Sequence, residues 1–361
     1  AAEVRGVPSG VHFGVSGYSG TVEMRIERAF VTGAAGCSAM LRPLCALMGR
    51  EGNALRTVRL GGNGAWAAGD GATLAAALGA ASCVVAELDV SGSGLGADEA
   101  VALVSAGRAL QTLRLGEWVM PVGELRSGES VSTGGQAVGE ADGAVVGALL
   151  KASTSLTTLD LSGSMCAPGA LARILEGLRA SAAPLAELRL SGLRPGSDGS
   201  VFGPEVCADL VQSVLTLAAH LRHLDLGGQA VGTDEALAYV STCRALLTLK
   251  LGEWVMPVGE LRSGESVSTG GQAVGEADGA VVGALLKTST SLSTLDLSGS
   301  SCAAEAARLI GEGLRESAAP LAELRLANVL YTTGGRMSFE AVLERQAALM
   351  SGACRLSLRE V

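Results

Sequence analysis

The amino-acid sequence predicts an α/β protein built by stacking one short unit many times. The first observation behind this prediction is a duplication, because residues 115–151 and 251–287 are the same string at an offset of 136 residues. Weaker identity extends the match over residues 85–190 and 221–326. The second observation is a six-residue phrase, apolar at positions 1, 4 and 6, that recurs on average about every 27 residues. A chain with these two properties is expected to form a repeat structure.

Each phrase predicts a β-strand, because its apolar residues at positions 4 and 6 lie two apart. The nine clear phrases begin at Leu55, Val85, Leu110, Leu156, Leu185, Leu221, Leu246, Leu292 and Leu321. Two longer intervals contain the string GGQAVG, which also follows the phrase at Leu221. Aligning these strings predicts two degenerate strands, at Val131–Thr133 and Val267–Thr269.

The segments between the phrases predict helices. Each begins with a Gly/Ser turn and continues as an Ala-rich stretch whose apolar residues recur every three or four positions, as at Val206, Leu210, Val214 and Leu217. Acidic residues such as Asp98 stand near the expected helix starts, where they complement the helix dipole. Strand, turn, helix and return therefore make up one repeat.

This unit resembles the leucine-rich repeat, and over roughly residues 20–330 the chain resembles leucine-rich-repeat proteins of the ribonuclease-inhibitor-like subfamily. The resemblance implies a horseshoe-shaped solenoid of about 12 repeats, with a parallel β-sheet on the concave side and helices on the convex side. The family usually places Asn three residues after position 6, and here only Asn63 matches. That departure predicts an imperfect hydrogen-bond ladder along the loops that follow the strands.

The domain organisation follows from the repeats. We expect an N-terminal cap and a first atypical repeat in residues 1–50, with a capping strand at Val11–Val15 and a helix at about Cys37–Met48. The solenoid itself is expected to occupy residues 51–330. Residues 331–361 are predicted to form a C-terminal capping helix and strand that cover the open end of the core.

Composition excludes several classes of function. The net charge is −9 and basic residues form no cluster, which argues against nucleic-acid binding. No apolar run approaches about 18 residues, so no membrane insertion is expected. The eight cysteines are scattered, which argues against a metal site and favours a reducing, intracellular and cytoplasmic location. The chain begins with Ala-Ala, so removal of a targeting segment for an organelle is the alternative.

The first candidate site is the row of residues at position 5 of each phrase, which should project from the concave face of the sheet. From the second member onward the row largely alternates in charge, so that each later Arg or Lys should face an Asp on an adjacent strand. The first two members are both arginine and should favour an external anion. The row is Arg25, Arg59, Asp89, Arg114, Ser132, Asp160, Arg189, Asp225, Lys250, Ser268, Asp296 and Arg325. It is interpreted either as a groove that recognises a polar partner or as a ladder of charges that satisfy one another.

The second candidate is the segment GEWVMPVGELRSGE, here called the excursion, which occurs twice, each time between a clear phrase and a degenerate strand. It is long enough for only one short helical turn, predicted at Pro121–Arg126 and Pro257–Arg262. A repeat without a full-length helix should leave Trp118 and Trp254 partly exposed to solvent, where they could anchor a partner protein. The alternative is that each tryptophan fills the space left by a missing helix.

These observations predict a non-enzymatic scaffold that binds another protein through its concave face and loops. No catalytic residues and no cofactor are expected, and His223 beside Asp225 is interpreted as an isolated histidine. One alternative is a regulator of an enzyme, such as a GTPase activator that inserts Arg126 or Arg262 from a protruding loop. Another is a structural subunit buried in a larger complex.

Overall fold

A computed structural model describes residues 13–16, 22–26, 35–62, 66–195, 204–317, 321–326, 329–331 and 355–357. For residues 13–16, 22–26, 35–40, 204–208, 330–331 and 355–357 only the backbone is described. The structure is mixed α/β, with short parallel strands that alternate with helices. The chain forms two compact units: Ala1–Thr158, Gly163–Ala183 and Arg194–Phe202 make up unit 1, and Leu159–Ser162, Pro184–Leu193 and Gly203–Val361 make up unit 2.

Unit 1 contains a sheet of parallel strands with one antiparallel strand at each edge. Strands β2 to β5 run parallel, β1 is antiparallel to β2, and β6 is antiparallel to β5. In chain order, the elements are β1 Phe13–Ser16, β2 Val22–Ile26, α1 Ala35–Met48, β3 Leu55–Arg59, α2 Asp70–Leu78, β4 Glu87–Asp89, α3 Ala97–Ala106, β5 Thr112–Arg114, β6 Val119–Met120, α4 Val122–Ser127, β7 Ser130–Ser132, β8 Ala137–Val138, α5 Glu140–Ala152, β9 Thr158–Asp160, β10 Met165–Cys166 and α6 Pro168–Ala180. Strand β9 begins in unit 1 and ends in unit 2.

Unit 2 contains two groups of parallel strands. Strand β11 lies beside β9 and pairs in parallel with β12, which pairs in parallel with β13, and β14 closes that edge as an antiparallel strand. A second parallel group has the order β15, β16, β18, β20. The elements are β11 Glu187–Arg189, α7 Pro204–Thr216, β12 His223–Asp225, α8 Thr233–Thr242, β13 Thr248–Lys250, β14 Val255–Met256, α9 Val258–Ser263, β15 Ser266–Ser268, α10 Glu276–Thr288, β16 Thr294–Asp296, β17 Ser301–Cys302, α11 Ala304–Glu316, β18 Glu323–Arg325, β19 Leu330–Tyr331 and β20 Arg355–Ser357.

Some of the elements predicted at the two ends of the chain fall on residues that the structure describes. Strand β1 overlaps the capping strand predicted at Val11–Val15, and α1 covers the helix predicted at Cys37–Met48. Strand β20 falls in the predicted last strand. The closing helix predicted between β19 and β20 and the match of Asn63 to the family's asparagine lie outside the described residues.

The apolar positions of the phrases form the core. In the phrase from Leu156, Leu156, Leu159 and Leu161 are all buried. The helices add a second apolar layer, as Leu103 and Val104 do from α3. Full burial of one such side chain stabilises the fold by about 1.5–3 kcal/mol, which makes this repeated pattern the main source of stability.

Glycines allow the helices to approach closely. A side-chain carbon on Gly147 of α5 would clash with the Arg173 carbonyl of α6, and one on Gly177 of α6 would clash with the Gly147 carbonyl. In unit 2, Gly283 of α10 and Gly313 of α11 make the same close approach. Helices α5 and α6, and likewise α10 and α11, therefore pack backbone against backbone.

The expectation of one unbroken parallel sheet is wrong at two places. After β5 the chain folds back as β6 and ends that edge of the sheet, so β7 is not the next rung after β5. After β13 the chain does the same as β14, and β15 starts a separate sheet. The physical reason is that Trp118 and Met120, and their counterparts Trp254 and Met256, find burial in the core when the chain reverses.

Candidate functional site

In unit 2 the row of position-5 side chains forms in two parts, because β13 and β15 belong to separate sheets. Neighbouring members are paired across adjacent strands: the guanidinium of Arg189 lies 4.0 Å from Asp160, and the ammonium of Lys250 lies 3.6 Å from Asp225. Farther along the same unit, the Arg325 guanidinium lies 3.8 Å from Asp296. Each of these cations therefore faces an Asp on the adjacent strand, as the sequence indicates.

Unit 1 has a shorter version of the row. Arg59, Asp89 and Arg114 are register partners on β3, β4 and β5, and the Arg114 guanidinium lies 3.8 Å from Asp89. Strand β2 places Arg25 opposite Arg59 in the backbone register. The side chain of Arg25 lies outside the described residues, so its predicted attraction for an external anion stays a prediction.

The aspartates of the row have a second role that sequence reasoning missed. Oδ1 of Asp89 accepts a hydrogen bond from the Ser91 N–H at 3.0 Å, and Oδ1 of Asp225 accepts one from the Gly227 N–H at 3.0 Å. Asp160 and Asp296 cap their turns in the same way. At the degenerate strands the hydroxyl of Ser132 replaces the carboxylate and accepts from the Gly134 N–H. The available signal was the recurrence of Asp or Ser two residues before the turn, which is typical of Asx and ST turns.

The charges of the row are also satisfied along single strands. The Arg189 guanidinium contacts Glu187 at 2.5 Å, and the Arg325 guanidinium contacts Glu323 at 2.9 Å. These contacts agree with the interpretation of the row as a set of mutually paired charges. Since exposed pairs of this kind contribute only about 0–1 kcal/mol each, a partner could rearrange them at little cost.

A shallow cavity of about 290 Å³ lies on the strand face of unit 2. Its wall includes Arg189, Asp225 and Lys250 from the row, together with Thr248 and the exposed Val255. His223, also on the wall, has its Nδ1 2.8 Å from the Thr248 hydroxyl. The two residues are register partners on β12 and β13, so this contact links adjacent strands.

Two exposed valines add an apolar surface to the row. Val255 is 53% exposed and stands directly opposite Lys250, while Val119 is 54% exposed and stands directly opposite Arg114. Residues opposite each other on antiparallel strands project from the same face, so each valine lies beside the cation of its unit. We call Asp89, Arg114 and Val119 the unit 1 patch, and Asp225, Lys250 and Val255 the unit 2 patch.

The expectation that the two tryptophans are partly uncovered is wrong. Trp118 is 4% exposed and Trp254 is 3% exposed. They fill the space beside the short helices α4 and α9, which was the alternative interpretation. Strand alternation in Trp-Val-Met buries the first and third side chains and exposes the second, so the exposed apolar side chain of this segment is the valine.

Arg126 and Arg262 do not protrude from loops, which corrects the prediction that placed them there. They lie in the last turns of α4 and α9, and their side chains point back to the preceding repeat. The Arg126 guanidinium donates to the carbonyls of Val104, Gly107 and Leu110. Arg262 donates to the corresponding carbonyls of unit 2. Burial lowers the pKa of both guanidinium groups, yet their ordinary pKa is so high that the charge is retained.

Other kinds of site find no support in the described part of the chain. Cys166 and Cys302 are buried, and burial raises the pKa of the Cys166 thiol to about 12 and that of the Cys302 thiol to about 11. Such thiols are poor nucleophiles and metal ligands. Within the described residues, no group of His, Cys, Asp and Glu could hold a metal ion, and no helix is long and apolar enough to cross a membrane.

Comparison with known proteins gives distant structural likenesses only. No family model and no curated protein matches the sequence. The chain is similar to an internalin from Listeria monocytogenes, with 11% identity over 94% of this chain and 87% of that chain, and a TM-score of 0.27. It is also similar to a chain of the Rad7–Elc1 complex of yeast, with 13% identity over 91% of this chain and 89% of that chain, and a TM-score of 0.21. At these TM-scores neither likeness carries an argument about fold or function.

Proposed function

We propose that this chain is a leucine-rich-repeat protein that binds another protein without catalysing a reaction. The finer features of the proposal are the ribonuclease-inhibitor-like subfamily, a horseshoe of about 12 repeats and an intracellular location. The parallel register of β3, β4 and β5 and of β11, β12 and β13 supports the repeat assignment. The free Cys45 and Cys83, which are not fully buried, fit a reducing compartment.

The observation that carries the proposal is the recurrence of the same patch in both units. Each patch places a half-exposed valine beside a cation whose Asp partner lies 3.6–3.8 Å away. Protein interfaces combine apolar contacts with charged groups that set orientation and specificity. Three adjacent, hydrogen-bonded strands present the three side chains of each patch, so binding orders little of the chain.

An enzyme regulator that inserts Arg126 or Arg262 is less favoured, because both guanidinium groups are engaged with backbone carbonyls. A buried subunit of a large assembly has no specific observation in its favour. The scaffold is therefore the function that the geometry supports best.

The proposal is tested by affinity capture from native extract with the whole protein and two sets of variants. Val119→Glu combined with Val255→Glu alters both patches, and Arg173→Glu is the matched control on the helical side, where Arg173 is 59% exposed. We expect at least one protein to bind the wild type and the control and to be lost from the valine double variant. Equal capture by all three proteins would contradict a role for the patches.

A further inference from the structure

Each unit contains a buried carboxyl group in which only one of the two oxygen atoms has a hydrogen-bond partner. Asp142, in the first turn of α5, is 3% exposed, and Asp278, in the first turn of α10, is 2% exposed. One oxygen of each, Oδ2, accepts a hydrogen bond from the backbone N–H of Gly139 or Gly275, at 3.1 and 3.0 Å. The other oxygen, Oδ1, is buried and has no hydrogen-bond partner. A buried carboxylate oxygen without a hydrogen-bond donor destabilises the folded state, and each unit contains one such oxygen.

A loop covers each of these carboxyl groups. Residues 115–118 link β5 to β6, and residues 251–254 link β13 to β14. A side-chain carbon on Gly116 would lie 3.5 Å from Oδ2 of Asp142, and Gly252 stands in the same relation to Asp278. The carbonyl of Gly116 accepts a hydrogen bond from Nε of Arg114 at 3.2 Å. In unit 1 the loop is thus held between a buried carboxyl group and the cation of the patch.

Few charged groups surround Asp142. On its own helix Glu140 is exposed, and on the covering loop Glu117 is exposed. Strand β10 contributes the neutral thiol of Cys166, whose raised pKa reflects in part the nearby Glu140 and Asp142. Helix α3, which also packs against α5, carries Asp98 and Glu99 in its first turn. Arg126 of α4 is bonded to carbonyls, and α6 carries Arg173, which pairs with Glu176, and Arg179 in its last turn.

Unit 2 surrounds Asp278 in the same way. Glu276 on its own helix and Glu253 on the loop are exposed. Strand β17 contributes the buried Cys302. Helix α8, which also packs against α10, carries Asp234 and Glu235 in its first turn. Arg262 of α9 is bonded to carbonyls, and on α11 Arg308 pairs with Glu305 and Glu312 and Arg315 pairs with Glu316. Burial is the largest influence on both carboxyl groups and raises the pKa of Asp142 and of Asp278 to about 6, with the Gly139 or Gly275 N–H opposing it in part.

We propose that Asp142 and Asp278 are equivalent proton switches, which close the covering loops when protonated and loosen them when ionised. A protonated carboxyl group is uncharged, so it can remain buried beneath the closed loop. An ionised one needs more hydrogen-bond donors than the single backbone N–H supplies, and movement of the loop glycine away from Oδ2 lets water reach the carboxylate and supply them. Since each loop joins the cation of a patch to its valine, loosening also disorders the patch. That last consequence rests on the proposed function.

Tryptophan fluorescence can report the state of the loops directly. Trp118 and Trp254 lie in the two loops and are buried, and Trp66 is the third tryptophan of the chain. The probe is acrylamide, a neutral quencher that does not respond to the charge of the protein. In Trp66→Phe protein, we expect the quenching constant to rise about twofold or more between pH 5 and pH 7.5. The midpoint should lie near pH 6.

Matched variants identify the group responsible. In the Trp66→Phe background, Asp142→Asn with Asp278→Asn should give a low quenching constant at both pH values. The exposed pair Glu140→Gln with Glu276→Gln should keep the pH dependence. His223→Gln should also keep it, which removes a histidine of the strand face as the cause. A quenching constant that does not change with pH, or that changes equally in the asparagine double variant, overturns the proposal.

A second measurement serves if Trp66→Phe does not fold. Hydrogen exchange of the wild-type segments 115–121 and 251–257, corrected for the intrinsic effect of pH, should be slower at pH 5 than at pH 7.5. Equal corrected rates overturn the proposal. Neither measurement involves a partner protein, so a failure of the switch is distinguishable from a failure of the proposed binding function.

Discussion

Val255 stands directly opposite Lys250 on an antiparallel pair of strands, and half of its surface is exposed at the edge where a parallel sheet ends. Val119 and Arg114 repeat this relationship in unit 1. The duplication therefore preserves an exposed apolar side chain beside a cation. The same geometry in both copies, although the cation itself differs, makes the patch the best candidate for a binding surface.

The first prediction separates the exposed valine from the buried tryptophan beside it. Val255→Glu should change the free energy of unfolding by less than about 0.5 kcal/mol, because its side chain is largely in water. Trp254→Ala should cost about 3–5 kcal/mol, because it opens a large cavity in the core. Urea unfolding followed by circular dichroism measures both. A loss of several kcal/mol with Val255→Glu would show that the valine is part of the core.

The second prediction concerns the two roles of the aspartates. Asp89→Ala should cost about 1 kcal/mol, because it removes the hydrogen bond to the Ser91 N–H as well as the contact with Arg114. Arg114→Ala should cost less than about 0.5 kcal/mol, since the ion pair with Asp89 and the hydrogen bond to the Gly116 carbonyl that it removes are both exposed. The two variants are compared in the same unfolding experiment. Equal losses would mean that the turn hydrogen bond contributes nothing.

The third prediction concerns Arg262, which donates to several carbonyls of the preceding repeat. Arg262→Ala should cost about 3 kcal/mol, because those carbonyls lose a charged donor. Arg262→Lys should restore little of this, since an ammonium group cannot reproduce the planar arrangement of donors. Arg173→Ala, at an exposed position, is the control and should be close to neutral. A neutral Arg262→Ala would restore the interpretation of this arginine as a free functional group.

The fourth prediction tests the close approach of α5 and α6. Gly147→Ala should cost at least about 1–3 kcal/mol, because the new methyl group meets the Arg173 carbonyl and the helices must separate. Gly79→Ala is the control: Gly79 has a φ of −77°, and an added methyl group would lie 3.5 Å from its nearest neighbours. The Gly79→Ala variant should be as stable as the wild type or more stable by up to about 1 kcal/mol. Thermal unfolding of both variants provides the comparison.

The fifth prediction is a dependence of stability on pH. Burial raises the pKa of Asp142 and Asp278 from 3.8 to about 6, so between these values the folded chain binds more protons than the unfolded chain. Stability should therefore fall as the pH rises from about 4 to about 6, by up to about 3 kcal/mol per site, and stay at the lower level above that.

The corresponding variant test uses substitution of both aspartates. Asp142→Asn with Asp278→Asn should stabilise the protein at pH 7 and change little at pH 4. Glu140→Gln with Glu276→Gln should alter neither value by more than about 0.5 kcal/mol, because these carboxylates are exposed. Chemical unfolding at the two pH values measures the difference. Destabilisation by the asparagine pair at pH 7 would contradict the expected direction of the pH dependence.

Most of the repeat structure could be predicted from the sequence. Apolar residues spaced two apart placed the strands, including the degenerate strands now seen as β7 and β15. The length of the excursions correctly indicated the short helices α4 and α9. The pairing of Lys250 with Asp225 followed from their equivalent positions in adjacent phrases. These features depend on local periodicity, which a sequence contains in full.

The sequence by itself thus determined which segments form strands and helices and which side chains share the strand face. Only the tertiary structure decided that β6 and β14 fold back, that Trp118 is buried while Val119 is exposed, and that Arg126 bonds to the carbonyls of another repeat. The reason is physical: these outcomes depend on which space the neighbouring repeat leaves and which of its carbonyls lack donors. The spacing of residues along one segment specifies neither the space beside that segment nor the carbonyl groups that need a donor.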